Sequence, residues 1–73
     1  MPKLPLHFGL GSELRQHRRQ RRLTQGQLAE AAGLSMPTVR LLEATRGTLA
    51  SWNAALAALK LELAGRNIYI REG

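Results

Sequence analysis

The stretch Thr24 to Glu43, TQGQLAEAAGLSMPTVRLLE, reads as two short helices joined by a tight turn. Thr24 is a good N-cap and Gln27 stands three residues later, so Thr-x-x-Gln is a capping box and a helix should start at Gln25. Leu28, Ala29 and Ala32 fall on one face of that helix. Gly33 sits where the helix ends and the backbone needs a left-handed residue. Leu34 is the apolar residue of the turn, and Ser35 is a second N-cap. Pro37 lies in the first turn of the next helix, 35–44, where its missing N–H costs nothing. Val39 and Leu42 should point inward; Met36, Pro37, Arg40 and Leu41 share the opposite, outward face. Small Ala29 suits a close helix crossing, Gly33 allows the sharp turn, and Leu34, Val39 and Leu42 lock the crossing. A chance helical hairpin is the bland alternative, but an exposed face with no partner inside the protein is how a DNA-reading helix looks.

The whole chain bounds what this motif can belong to. Its 73 residues make one small domain. A chain of this size buries only roughly 60–65% of its unfolded surface, so a monomer is marginal and dimerisation would add buried area. There is no cysteine, hence no disulfide framework and no thiolate metal site, and no cofactor is implied. No run is long or apolar enough to span a membrane and no signal peptide is visible, so a cytoplasmic location is expected. Lys and Arg number 11 against 5 Asp and Glu, and nine of the eleven are Arg. Arginine matches phosphates and guanine edges bidentately. A basic balance alone also fits membranes, RNA or acidic proteins, and becomes a DNA argument only beside the helical pair.

Outside the motif, residues 1–11 read as an N-terminal arm: Pro2, Pro5, Gly9 and Gly11 argue against helix. The arm is either a loose tail, or folds back through Leu6 and Phe8, or reaches DNA through Lys3 and His7. Ser12 should cap the first helix, with Glu13 complementing its dipole and Leu14 and Leu23 as anchors. The run Arg15 to Arg22 is in part a solvated helix face. Thr48 should cap a last helix from Leu49 to about Leu59, with Leu49, Trp52, Leu56 and Leu59 as its apolar stripe. Trp52 suits core or a dimer interface better than a ligand platform. Leu61-Glu62-Leu63 and Ile68-Tyr69-Ile70 alternate as strands do. Between them, 64–67 is either a hairpin turn or, through Gly65, a bulge in one long strand. Since a lone hairpin is marginal, residues 61–73 are expected to pair across a two-fold axis, with Trp52, Leu61, Leu63, Ile68 and Ile70 at a homodimer interface.

The set Gln25, Ala29, Gly33-Leu34-Ser35, Thr38-Val39 and Leu42-Glu43 resembles the phage Cro/repressor type of helix-turn-helix, the XRE family, over about Leu14 to Leu63. The tail Leu59-Lys60-Leu61-Glu62-Leu63 is similar to that of HipB-type antitoxins and other small mobile-element regulators, which follow their last helix with a short strand. The resemblance implies a mostly α fold of four or five helices with a short C-terminal strand or hairpin. It further implies a bacterial, phage or plasmid origin and a homodimer on double-stranded DNA. It also implies that Arg18 and Glu43 form a partly buried structural pair tying the first helix to the third, and that Gln25 holds a phosphate.

On this reading the 12–60 domain is a transcriptional regulator, a repressor, on an inverted-repeat operator, with reading helices about 34 Å apart. Met36, Pro37, Thr38, Arg40 and Leu41 are the candidate base-reading residues, with Arg40 the guanine reader and Met36 and Pro37 limited to shape or a thymine methyl. Gln25, Ser35, Thr45, Arg46, Arg15, Arg19 and Arg22 are the candidate phosphate contacts. The family more often has Gln, Arg, Lys or Asn where Met36, Pro37 and Leu41 stand, so direct readout should be sparse. Two other classes stay open: an antitoxin that holds a toxin protein, and an architectural DNA-bending factor. No acid pair, nucleophile and base, or phosphate loop is present, which argues against an enzyme.

Overall fold

The computed structural model describes residues 9–64 and 67–70. Four helices are followed by a hairpin: α1 Leu10–Gln20, α2 Gln25–Ala32, α3 Met36–Glu43, α4 Leu49–Ala58, β1 Leu61–Ala64 and β2 Asn67–Ile70. The alternatives for residues 3–8, and the turn residues Gly65 and Arg66, lie outside the described residues.

The local signals at the motif act as their chemistry requires. The Thr24 hydroxyl accepts from the Gln27 N–H at 3.0 Å, and the Gln27 side chain accepts from the Thr24 N–H at 2.8 Å. Ser35 Oγ accepts from the Thr38 N–H, and Thr48 Oγ1 from the Ser51 N–H. Gly33 ends α2 at φ 70°, and the Leu34 N–H returns to the Ala29 carbonyl at 2.8 Å. The helices α1 and α3 close with the same long bond, Leu23 N–H to Arg18 O and Arg46 N–H to Leu41 O. Their left-handed residues are Arg22 and Thr45, where Gly would be easiest.

Packing gathers Leu10, Leu14, Leu28, Ala29, Val39, Leu42, Trp52, Ala55, Leu56, Leu59 and Leu61 into one core, with Leu23, Leu34, Leu63 and Ile68 against its rim. Ala29, Val39 and Leu42 are buried in it, and Leu34 of the turn packs against it. Trp52 is wholly buried and its Nε1–H donates to the Arg46 carbonyl. It therefore lies in the core and has no surface to give a second subunit. Leu61 is likewise a core residue. Leu49, at the first position of α4, is 60% exposed, while Trp52, Ala55, Leu56 and Leu59 carry the buried stripe.

The two strands pair antiparallel, Leu61 with Ile70 and Leu63 with Ile68, so the tail is a hairpin within one chain. The alternative of a single long bulged strand is set aside. Leu61, Leu63 and Ile68 turn toward the core, while Ile70 stays 75% exposed beside Tyr69.

The start of α1 also differs from the sequence expectation. The helix begins at Leu10 after left-handed Gly9, so Ser12 lies inside it and caps nothing. The cap comes from a distance: the Thr45 hydroxyl accepts from the Gly11 N–H at 2.9 Å. Gly11, read as a helix breaker, is buried in α1, and a Cβ there would overlap the Glu43 carbonyl. Tertiary contact overrides its poor helix propensity. In an open helix Gly to Ala gains about 0.5–1 kcal/mol. Here Gly11→Ala should instead lose about 1–3 kcal/mol through overpacking. Urea unfolding checks the sign, and a stabilised variant would refute the close contact.

Candidate nucleic-acid interface

The short α3 is held from behind by one carboxylate. Glu43, at its last turn, is 6% exposed. Arg18 Nε donates to its Oε2 at 2.6 Å and Arg18 Nη2 to its Oε1 at 3.3 Å, a two-point bridge from α1. Arg18 Nη1 donates to the Leu23 carbonyl at 2.7 Å, so the same side chain braces the turn into α2. Gln25 Nε2 donates to Glu43 Oε1 at 3.1 Å, and Arg15 Nε lies 3.5 Å from that oxygen. One carboxylate therefore meets groups from α1 and the start of α2. Burial pushes the Glu43 carboxyl up, but hydrogen bonds from Arg18 and Gln25, then the charges of Arg18 and Arg15, outweigh it and hold it below the usual carboxylate range.

In front, α3 meets solvent. Met36 is 41% and Leu41 43% exposed, and Pro37 and Arg40 are exposed beside them. Arg40 does not extend away. Its Nη2 donates to Met36 Sδ at 3.4 Å, which folds the guanidinium back one turn toward the N-terminal end of α3. The Met36 methyl leans the other way, 3.7 Å from where a Cβ of Gly26 would stand. Thr38 is half-buried, and its hydroxyl lies 2.8 Å from that of Ser35.

The residues expected at phosphates separate into two groups. Arg19, Arg22 and Arg46 are exposed. Arg15 is exposed but leans on Glu43. The Gln25 side chain turns inward to the same carboxylate, leaving the backbone of α2's first turn as the anion-attracting group at this end. Thr45 is half-buried and left-handed at φ 60°, and its hydroxyl accepts the Gly11 N–H at the start of α1. The sequence showed neither this cap nor Gln25 as a third partner of Glu43. Both are tertiary contacts with no local signature.

The capped pair α2 and α3, packed over buried Ala29 in the core and turning at Gly33 with a solvent-facing second helix, defines a helix-turn-helix DNA-binding domain. Comparison of the whole chain agrees. Residues 9–65 match the family described as "helix-turn-helix domain", and the chain belongs to that family. Searches of curated proteins and of solved structures give no match. Among the described residues no helix is long and apolar enough to cross a membrane.

A carboxyl whose folded-state pKa is lowered stabilises the fold above its unfolded pKa, and that stability is lost as pH falls through the folded value. Glu43→Gln should therefore be less stable than the parent at pH 7, and the gap should close below about pH 4. Glu43→Ala, which strands Arg18, should cost about 3–5 kcal/mol. Thermal unfolding from pH 7 to pH 3 measures both; a pH-independent gap would show that the carboxylate charge is not what holds the helices.

Proposed function

We propose that the chain is a transcriptional regulator of the Cro/repressor type that binds an inverted-repeat operator as a homodimer and represses by occupying it. The supporting observation is the front of α3. Met36, Pro37, Arg40 and Leu41 are all turned to solvent, and the Arg40 guanidinium is carried to the helix end that meets base edges when such a helix lies in a major groove. Arg40 supplies the fork that pairs with guanine O6 and N7. Arg19, Arg22, Arg46 and the first turn of α2 take phosphates on either side. Arg15 contributes its charge while leaning on Glu43. Ser35 and Thr38 offer hydroxyls at the helix start.

The homodimer reading rests on the hairpin and α4. The second strand forms one edge of a two-stranded sheet, and an edge invites pairing. Ile70 and Tyr69 stand exposed on it, and Leu49 on α4. A groove between α4 and β1, lined by Asn53, Ala54, Ala57, Leu61, Glu62 and Leu63, opens beside this edge. Of the interface residues expected from sequence, Ile70 keeps a full surface and Leu63 and Ile68 a partial one. An antitoxin would offer this same apolar edge to a toxin in place of a second copy.

Selection of binding sites from a DNA library at two salt concentrations tests the proposal. The result it predicts is an inverted repeat with half-sites about one turn apart. Arg40→Ala should then cost about 1–3 kcal/mol and relax one base pair per half-site, whereas Arg22→Ala should weaken all sequences alike and lower the salt slope by about one. Equal binding of every sequence would make the domain an architectural factor. Ile70→Glu should leave the fold intact but shift sedimentation to a monomer that protects only a half-site; an unchanged dimer would move the interface elsewhere.

A further inference from the structure

Resting on the reading of α3 as the major-groove helix, we propose that each half-site is recognised through a 5-methylpyrimidine lying directly beside a guanine. In this pair of contacts Arg40 takes the guanine and the Met36 thioether covers the methyl group.

The two side chains form one unit. Arg40 Nη2 and Met36 Sδ are 3.4 Å apart and in contact. Stacked bases along one strand are about 3.4 Å apart, and two side-chain heads in contact span no more than about one such step, which confines them to adjacent base pairs. A thioether is a weak acceptor and leaves most of the guanidinium's five donors free, including a fork for guanine. Because the Arg40 and Met36 heads already touch, they are brought together before DNA arrives. The rest of the exposed face, Pro37 and Leu41, has no side-chain donor or acceptor.

The chemistry of the groove selects the ligand. Guanine offers two acceptors to an arginine fork, while the C5 methyl is the one apolar group on a base edge there. A polarisable, unbranched thioether fits such a methyl and tolerates small offsets. A cytosine or uracil at that position leaves the Met36 methyl and sulfur facing water. Burying one methyl is worth roughly a three- to fivefold gain in affinity per half-site. The methyl belongs either to thymine or to 5-methylcytosine, and these are separable by experiment.

The test uses the full chain and its selected operator, with thymine, uracil, 5-methylcytosine or cytosine placed next to the guanine in both half-sites, read by fluorescence anisotropy. Uracil should bind about three- to fivefold more weakly than thymine per half-site. If 5-methylcytosine exceeds cytosine by the same ratio, the methyl is read on either base. If it gains nothing while thymine still exceeds uracil, the methyl source is thymine alone. Met36→Ala should bring the thymine-to-uracil ratio to about one while the guanine preference persists, and Met36→Leu should retain the ratio; a purely structural role for Met36 would not move it. Equal binding of thymine and uracil duplexes by the parent chain, or a selected half-site with no pyrimidine beside a guanine, overturns the proposal. Failure to bind any duplex in a salt-dependent way is a different result, and removes the DNA-binding reading itself.

Discussion

The Glu43 carboxylate is the interaction on which the rest depends. Its oxygens gather Arg18 and Arg15 from α1 and Gln25 from α2, and its own carbonyl closes against Gly11. One residue at the end of α3 thus sets the position of both preceding helices. A buried charge is costly, and this one is tolerated because hydrogen bonds surround it. Among the described residues, no buried side-chain polar atom is left without a partner. The arrangement leaves the opposite face of α3 with nothing to do inside the fold. That is what makes the face available to a ligand.

The same constraint accounts for local strain. Thr45 is β-branched yet left-handed, a conformation that ordinarily disfavours such a residue. It persists because its hydroxyl replaces the cap that Gly9 cannot provide to α1. The end of α3 is therefore joined to α1 three ways, by an ion pair to the last turn of α1 and by a cap and a glycine contact at its first. An eight-residue helix would not hold its orientation alone, since isolated short helices are marginal in water. Fixed at its base and capped by Ser35 at its tip, α3 presents Arg40 and Met36 as a preformed pair.

Much of this was legible in the sequence because the signals were local. Thr24 with Gln27, Gly33, Ser35 with Pro37, and Thr48 each act within one turn of helix, and each sits where it was read. Arg18 with Glu43 was legible only through resemblance, since nothing near either residue announces a partner across the chain. What stayed hidden was tertiary. Gly11 looked like a breaker because propensity speaks only of an isolated helix. Ser12 looked like a cap because the distant hydroxyl of Thr45 could not be seen. Sequence leaves Trp52 open between core and dimer interface and gives Leu61 to a dimer because a lone hairpin is marginal, yet the hairpin folds back on α4 and both are buried within one chain. Leu49 was placed inward by periodicity, but one turn of α4 at its exposed start has nothing to pack on.

Amide chemical shifts recorded while an operator duplex is titrated into the labelled protein test the central claim most directly. If α3 is a reading helix held from behind by Glu43, the large changes should fall on 35–46, on the first turn of α2 and on Arg19 and Arg22, with the hairpin little altered. Changes centred on α4, β1 and β2, with α3 silent, would contradict the account and assign the DNA contact to another face.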